Sequence, residues 1–136
     1  MDVAVRVRLP LLLLRLGVFV VMFMWTLDKF LNPKHAAAIF GKFYHIQGLS
    51  LQVSYFLGTA ELLLLVGFIL GFKKRATYGI VFLLHGISTL SSYPQYLSAF
   101  QGTGLLFYAA WPMLTACFAL YTLRDLDTLW TVSKGA

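Results

Sequence analysis

Three ionisable side chains, Arg15, Glu61 and His85, lie inside long apolar runs. An arginine and a carboxylate neutralise one another, and a histidine is the side chain that changes charge near neutral pH. Such a set can form a structural ion pair that fixes helix order and register. It can equally make a polar site for a proton, a quinone head or a small anion. A charged group at the centre of a bilayer costs at least ~2.5–3.5 kcal/mol, so each of the three must face protein. Arg15 is about six residues into its run, roughly 9 Å deep at 1.5 Å per residue, and His85 is nine residues into its own, roughly 13–14 Å. These depths predict mutual partners, Arg15 with Glu61 and His85 beside Glu61.

A second group, Trp25, Asp28, Lys29, Asn32 and Pro33, closes the first apolar run. It reads as an anchor: an aromatic in the interfacial belt, then a salt-bridged helix end. Tyr93, Tyr96, Tyr108 and Trp111 supply the same belt elsewhere. A haem held by two histidines needs two imidazoles at one depth, and His85 is the only histidine within a run, so haem is not expected. His35 and His45, with Met22 and Met24 not far in sequence, do not make a recognised copper signature, and no metal is expected. The serines lack the strand-turn-helix setting of a hydrolase nucleophile. Cys117 stands alone, which excludes an intramolecular disulfide and a CxxC motif; a lone thiol in an apolar run packs as a small hydrophobe.

The elements that must position these groups follow from composition. Of 136 residues, 60% are hydrophobic and 12% charged, with a mean hydropathy of +0.79. Soluble chains hold roughly 45–50% apolar and about 25% charged residues, so too few charges are present to cover a water-facing surface. The composition predicts an all-α membrane protein, a single domain over residues 1–136. At about 20 residues per span, it divides into a four-transmembrane-helix bundle with spans of about 9–31, 51–72, 76–92 and 105–123. The first run is too long for the ~7–15-residue core of a secretory signal and is expected to be retained. Alternating Lys34, His35, Lys42 and His45 with Ile39, Phe40, Phe43 and Tyr44 predict a short interfacial helix near residues 34–46, between spans 1 and 2. Tyr93–Pro94 breaks the third span. Trp111–Pro112 predicts a kink in the fourth, and a short polar tail follows Arg124.

The net charge of +6 does not form a nucleic-acid-binding face, because the basic residues punctuate the apolar runs as topology signals and lipid contacts. With the N-terminus inside, Arg6, Arg8, Lys73, Lys74, Arg75, Arg124 and Lys134 are inside, and Lys29, Lys34 and Lys42 outside. That asymmetry predicts both termini on the inner side.

The stretches L14-R15-L16-G17, W25-T-L-D28-K29-F30-L-N32-P33 and G58-T-A-E61-L62-L-L-L-V-G67 resemble DoxX-like membrane proteins. Where that family has paired glycines after the E-L, this chain has Leu63 and Leu64. The resemblance implies a four-helix protein of the inner membrane that accompanies redox enzymes. Its partners would be the lipid bilayer and other membrane or redox subunits, or copies of itself. The expected role is a non-catalytic accessory or anchoring subunit. One alternative is a quinone- or proton-handling subunit using Arg15, Glu61 and His85, with a quinone as cofactor. Another is a small oligomeric transporter, for which no inverted repeat speaks.

Overall fold

A computed structural model describes residues 2–45 and 50–132, and among them every regular element is helical. The elements are α1 (Val3–Arg6), α2 (Arg8–Leu31), α3 (Pro33–Phe43), α4 (Leu51–Ile69), α5 (Lys74–Ser91), α6 (Tyr93–Leu97), a 3-10 turn (Gly104–Ala109) and α7 (Ala110–Thr122). Three helical stretches are long and apolar enough to cross a membrane: Val3–Leu31, Leu51–Ile69 and Gly104–Thr122. The expected end of the interfacial helix at Ile46, and Lys134 of the charge tally, lie outside the described residues.

Local chemistry sets the boundaries. Residues before proline disfavour the helical region; α2 accordingly stops at Leu31, Asn32 leaves the helical region at φ −143° and ψ 66°, and Pro33 opens α3 where its missing amide costs nothing. The Ser50 hydroxyl caps α4 by accepting from the Val53 amide at 3.2 Å. Gly71 ends α4 in the left-handed region, φ +65°. There the Phe72 amide reaches the Gly67 carbonyl at 2.8 Å, and the Gly71 amide reaches that of Phe68 at 3.1 Å. This double bond pattern is the Schellman stop.

The inward faces repeat at four- and three-residue steps, which hold one stripe of a helix toward its neighbours. In α2 the stripe is Leu11, Arg15, Val18, Met22, Thr26 and Lys29; in α4 it is Ser54, Gly58, Glu61, Leu65 and Phe68; in α5 it is Lys74, Tyr78, Val81, His85 and Thr89. Helix α2 lies along α4 and α7, α5 along α7 and α4, and α3 closes against α2 and α4. Leu65, Phe68, Val81 and Leu120 meet at the centre, with Cys117 buried among them, in the packing role expected of it. The outward faces are apolar: Leu13, Phe56, Leu63, Leu83 and Phe118 are all more than half exposed.

Two expectations change in detail. The break expected at Trp111–Pro112 takes the form of a change of helix type: Pro112 sits in the first turn of α7, whose start at Ala110 joins directly onto a tighter preceding turn. That tighter turn is the 3-10 turn. The segment after Arg124 is also more than a polar tail. It folds back against the α4–α5 turn, the Val132 amide donating to the Leu70 carbonyl at 2.8 Å.

Candidate functional site

Most of the polar positions in these stripes gather into two clusters toward opposite ends of α2. At the Arg15 end, the arginine is fully buried. Its Nη1 pairs with Asp127 Oδ1 at 2.7 Å, and its Nη2 donates to the Leu129 carbonyl at 2.6 Å. The Tyr78 hydroxyl donates to the other oxygen, Oδ2, at 2.6 Å. Lys74 Nζ donates to the backbone carbonyls of Asp127 at 2.6 Å and Arg124 at 3.1 Å. Each Asp127 carboxylate oxygen therefore carries one short charge-assisted bond, and the folded-back tail supplies most of the acceptors. Arg15, Lys74, Tyr78 and Asp127 are at most 1% exposed. An arrangement so enclosed can latch helices and tail together, but it offers no open face to a substrate.

At the Lys29 end the pair is looser. Lys29 Nζ lies 3.2 Å from both Glu61 carboxylate oxygens, and the Thr26 hydroxyl is 3.0 Å from Oε2. The same hydroxyl lies 2.8 Å from the Met22 carbonyl, so one proton is shared between two acceptors. The Ser54 hydroxyl donates to the Lys29 carbonyl at 3.1 Å. Gly58 lets α4 approach: a Cβ there would stand 2.8 Å from the Phe30 ring. The Lys29 ammonium also lies 5.9 Å from the Phe40 ring centre, a cation–π approach. Outside this pair, Asp28 Oδ2 meets His35 Nδ1 at 2.6 Å, and Trp25 stacks on the His35 ring with centres 6.2 Å apart. The Glu61 side chain remains 25% exposed, so this carboxylate can accept one more donor.

His85 belongs to neither cluster. Its Nε2 lies 3.1 Å from the Ala110 carbonyl; a carbonyl only accepts, so Nε2 carries the proton. His45 is exposed just beyond the end of α3.

The expected partnership of Arg15, Glu61 and His85 is thus corrected: the structure gives the three separate partners. The Thr26–Glu61 and Ser54–Lys29 bonds set α2 and α4 antiparallel, with residues 26–29 of the first opposite 54–61 of the second. Glu61 therefore stands level with Thr26, eleven residues or roughly 16 Å along α2 from Arg15. The expected salt-bridged helix end is also different in detail, since Asp28 and Lys29 take separate partners, His35 and Glu61. Asp127, Tyr78 and Thr26 are absent from the sequence-based expectations, and Lys74 enters them only as an inside charge. Spacing carries a signal for three of them: Thr26 is three residues before Lys29, and Lys74 four before Tyr78, each pair on one helix face. Asp127 lies beyond any helix, where periodicity is silent.

Comparisons with protein-family models, with curated proteins and with solved structures give no match.

Proposed function

We propose that the chain is a DoxX-like, four-span protein of the inner membrane, with both termini inside and α3 at the outer interface, acting as a non-catalytic accessory or anchoring subunit of a membrane redox complex. The observation that carries this reading is the internal use of its charges. Arg15 pairs with Asp127, Lys74 donates to backbone carbonyls of the tail, Lys29 pairs with Glu61, and the outward faces are left to lipid or to partner helices. Helix α5 serves as the fourth span because its polar residues face inward: Lys74, Tyr78 and Thr89 are buried, while Ile80, Leu83, Ile87 and Leu90 face out. Its 18 residues cover roughly 27 Å, close to the ~30 Å hydrocarbon core. Exposed Lys34 and Lys42 on α3 suit headgroups.

Two experiments test this. Native purification in mild detergent should bring larger redox subunits along with the chain; a chain that travels alone or only with its own copies counts against the subunit role. Cysteine-accessibility mapping should place residues 73–75 and Lys42 on opposite sides, and finding them on one side refutes the topology.

One observation favours a second reading, in which Glu61 handles protons beside a quinone head. Its carboxylate is partly open, with a cation and a hydroxyl already in place. This site would use Glu61, Lys29 and Thr26, with Arg15 excluded by its enclosure. Glu61→Gln should then still assemble, at a modest cost in stability, and lose quinone-dependent turnover of the complex; retained turnover rejects this second reading.

A further inference from the structure

Tyr121 borders two surface hollows at once. The first, about 540 Å³, is bounded by Lys73, Arg75, Ala76 and Tyr121. The second, about 440 Å³, follows α5 past Gly79, Phe82, Gly86 and Leu90. Both are bounded by Tyr121, and taken together they make a groove that is cationic at the α4–α5 turn and apolar along the helix.

The cationic end is held open by the fold. Lys73 has a left-handed backbone, φ 45°, and this turn leaves Lys73 and Arg75 exposed while Lys74 points into the protein. Neither Lys73 nor Arg75 enters an ion pair among the described residues. Arg124 adds a third cation, its guanidinium 4.7 Å from the Tyr121 ring centre and its buried Nε without a partner. The nearby Asp127 carboxylate is taken by Arg15 and Tyr78, and Asp125 is exposed beside Arg124.

The apolar end depends on missing side chains. A Cβ on Gly79 would stand 3.2 Å from Tyr121 Cε2, so the glycine lets that ring lie against α5. Gly86 continues the floor one heptad on, and Leu83 and Leu90, 61% and 65% exposed, form the rim. From Arg75 to Leu90 the groove runs fifteen residues, roughly 22 Å, longer than the ~15 Å half-thickness of a bilayer core.

We propose that this groove binds an anionic phospholipid, with its phosphate between Lys73 and Arg75 and one acyl chain along α5 over Gly79 and Gly86. A zwitterionic lipid offers the same phosphate but brings its own ammonium beside the two cations, so its zero net charge compensates them less than an anionic headgroup does. A second copy of the chain is a poor occupant, because its exposed carboxylates among the described residues are Asp2 and Asp125 alone. The inference rests on the membrane reading but not on the subunit role, so a chain that inserts in bilayers and shows no headgroup preference breaks this inference alone.

The test is native mass spectrometry of the full chain after delipidation and exposure to vesicles of phosphatidylcholine with and without phosphatidylglycerol. The wild type should prefer phosphatidylglycerol by about 30-fold, each of two cations at an anionic headgroup contributing a factor of roughly five. The K73Q/R75Q variant should lose most of that preference, and G86L, whose Cβ would meet only Leu114 at an ordinary 3.7 Å, should lose both lipids while the chain stays folded. Equal binding of the two lipids, or an undiminished preference in K73Q/R75Q, overturns the proposal. So does displacement by inorganic phosphate as effective as by phosphatidylglycerol, which would mark a free-anion site, or recovery of a quinone or a second copy from the groove. Should K73Q/R75Q fail to fold, the wild type at 1 M salt decides: charges screened over about 3 Å must lose the preference, and one that persists overturns it.

Discussion

Helix α2 carries a cation–carboxylate pair near each end, and the two are wired differently. Arg15 and Asp127 have side chains 1% and 0% exposed; Lys29 and Glu61 are at 10% and 25%. Arg15 is held by a carboxylate and backbone carbonyls of a segment more than a hundred residues away in sequence. Lys29 finds its acid on the neighbouring antiparallel helix. An enclosed pair depends on both members, because removing one leaves an uncompensated charge at ~3–5 kcal/mol, whereas an open pair contributes ~0–1 kcal/mol. The same chemistry therefore makes a latch at one end and an adjustable site at the other.

The latch should give the largest effect. Asp127→Ala strands Arg15 and Tyr78, and is expected to cost ~3–5 kcal/mol, read as lost folded yield and earlier unfolding in detergent. Replacing both partners, Arg15→Met with Asp127→Leu, should recover part of the loss; losses that simply add would show that the two are not coupled. In contrast, an Arg15–Glu61 double-variant cycle should be additive within about 0.5 kcal/mol, as for residues more than ~7–10 Å apart. Next in size is Gly71→Ala. A residue with a Cβ costs roughly 1–2 kcal/mol in the left-handed region, and that Cβ would come 2.5 Å from Thr131 Cγ2. The tail should loosen, seen as faster proteolysis after Arg124; an unchanged cleavage rate would mean that Gly71 does not control docking.

These contrasts show what the sequence made legible. Leucine and valine runs, Pro33 and Pro94 locate most helix ends, because apolar length and proline stereochemistry act locally. Inward stripes are legible too, since Arg15, Met22 and Lys29 recur at seven-residue steps, as do Lys74 with Val81 and Tyr78 with His85. Depth measured from the start of an apolar run is not enough to pair residues across helices. Pairing depends on how far antiparallel neighbours slide, which here is fixed by Gly58 against Phe30 and by Ser54 against the Lys29 carbonyl. The partner of Arg15 was beyond reach for another reason: Asp127 lies in irregular chain, and only the finished tertiary fold returns it to α2.

At the open end the effects should shrink in step with exposure. Glu61→Gln keeps an acceptor for Thr26 and Lys29 while losing the charge, so a cost of about 1–2 kcal/mol is expected, between the exposed and enclosed limits. A loss as large as that of Asp127→Ala would erase the distinction between the two ends.

The smallest effect is expected at Asp28 and His35, whose side chains are 23% and 45% exposed. The carboxylate is held 2.6 Å from His35 Nδ1, but water reaches both groups, and exposed pairs are worth under ~1 kcal/mol. The Trp25 ring stacked on His35 does not depend on charge, so it should keep the imidazole in place after Asp28→Asn. Stability in detergent should then change by less than ~1 kcal/mol. Whatever change remains should vanish at 1 M salt, where exposed charges are screened within about 3 Å. Trp25→Leu in the Asp28→Asn background separates the two contributions: with both gone, α3 should detach from the end of α2 and Lys42 should become more accessible to labelling. If Asp28→Asn alone frees α3, the ion pair outweighs the stack, and the Lys29 end is a latch in its own right.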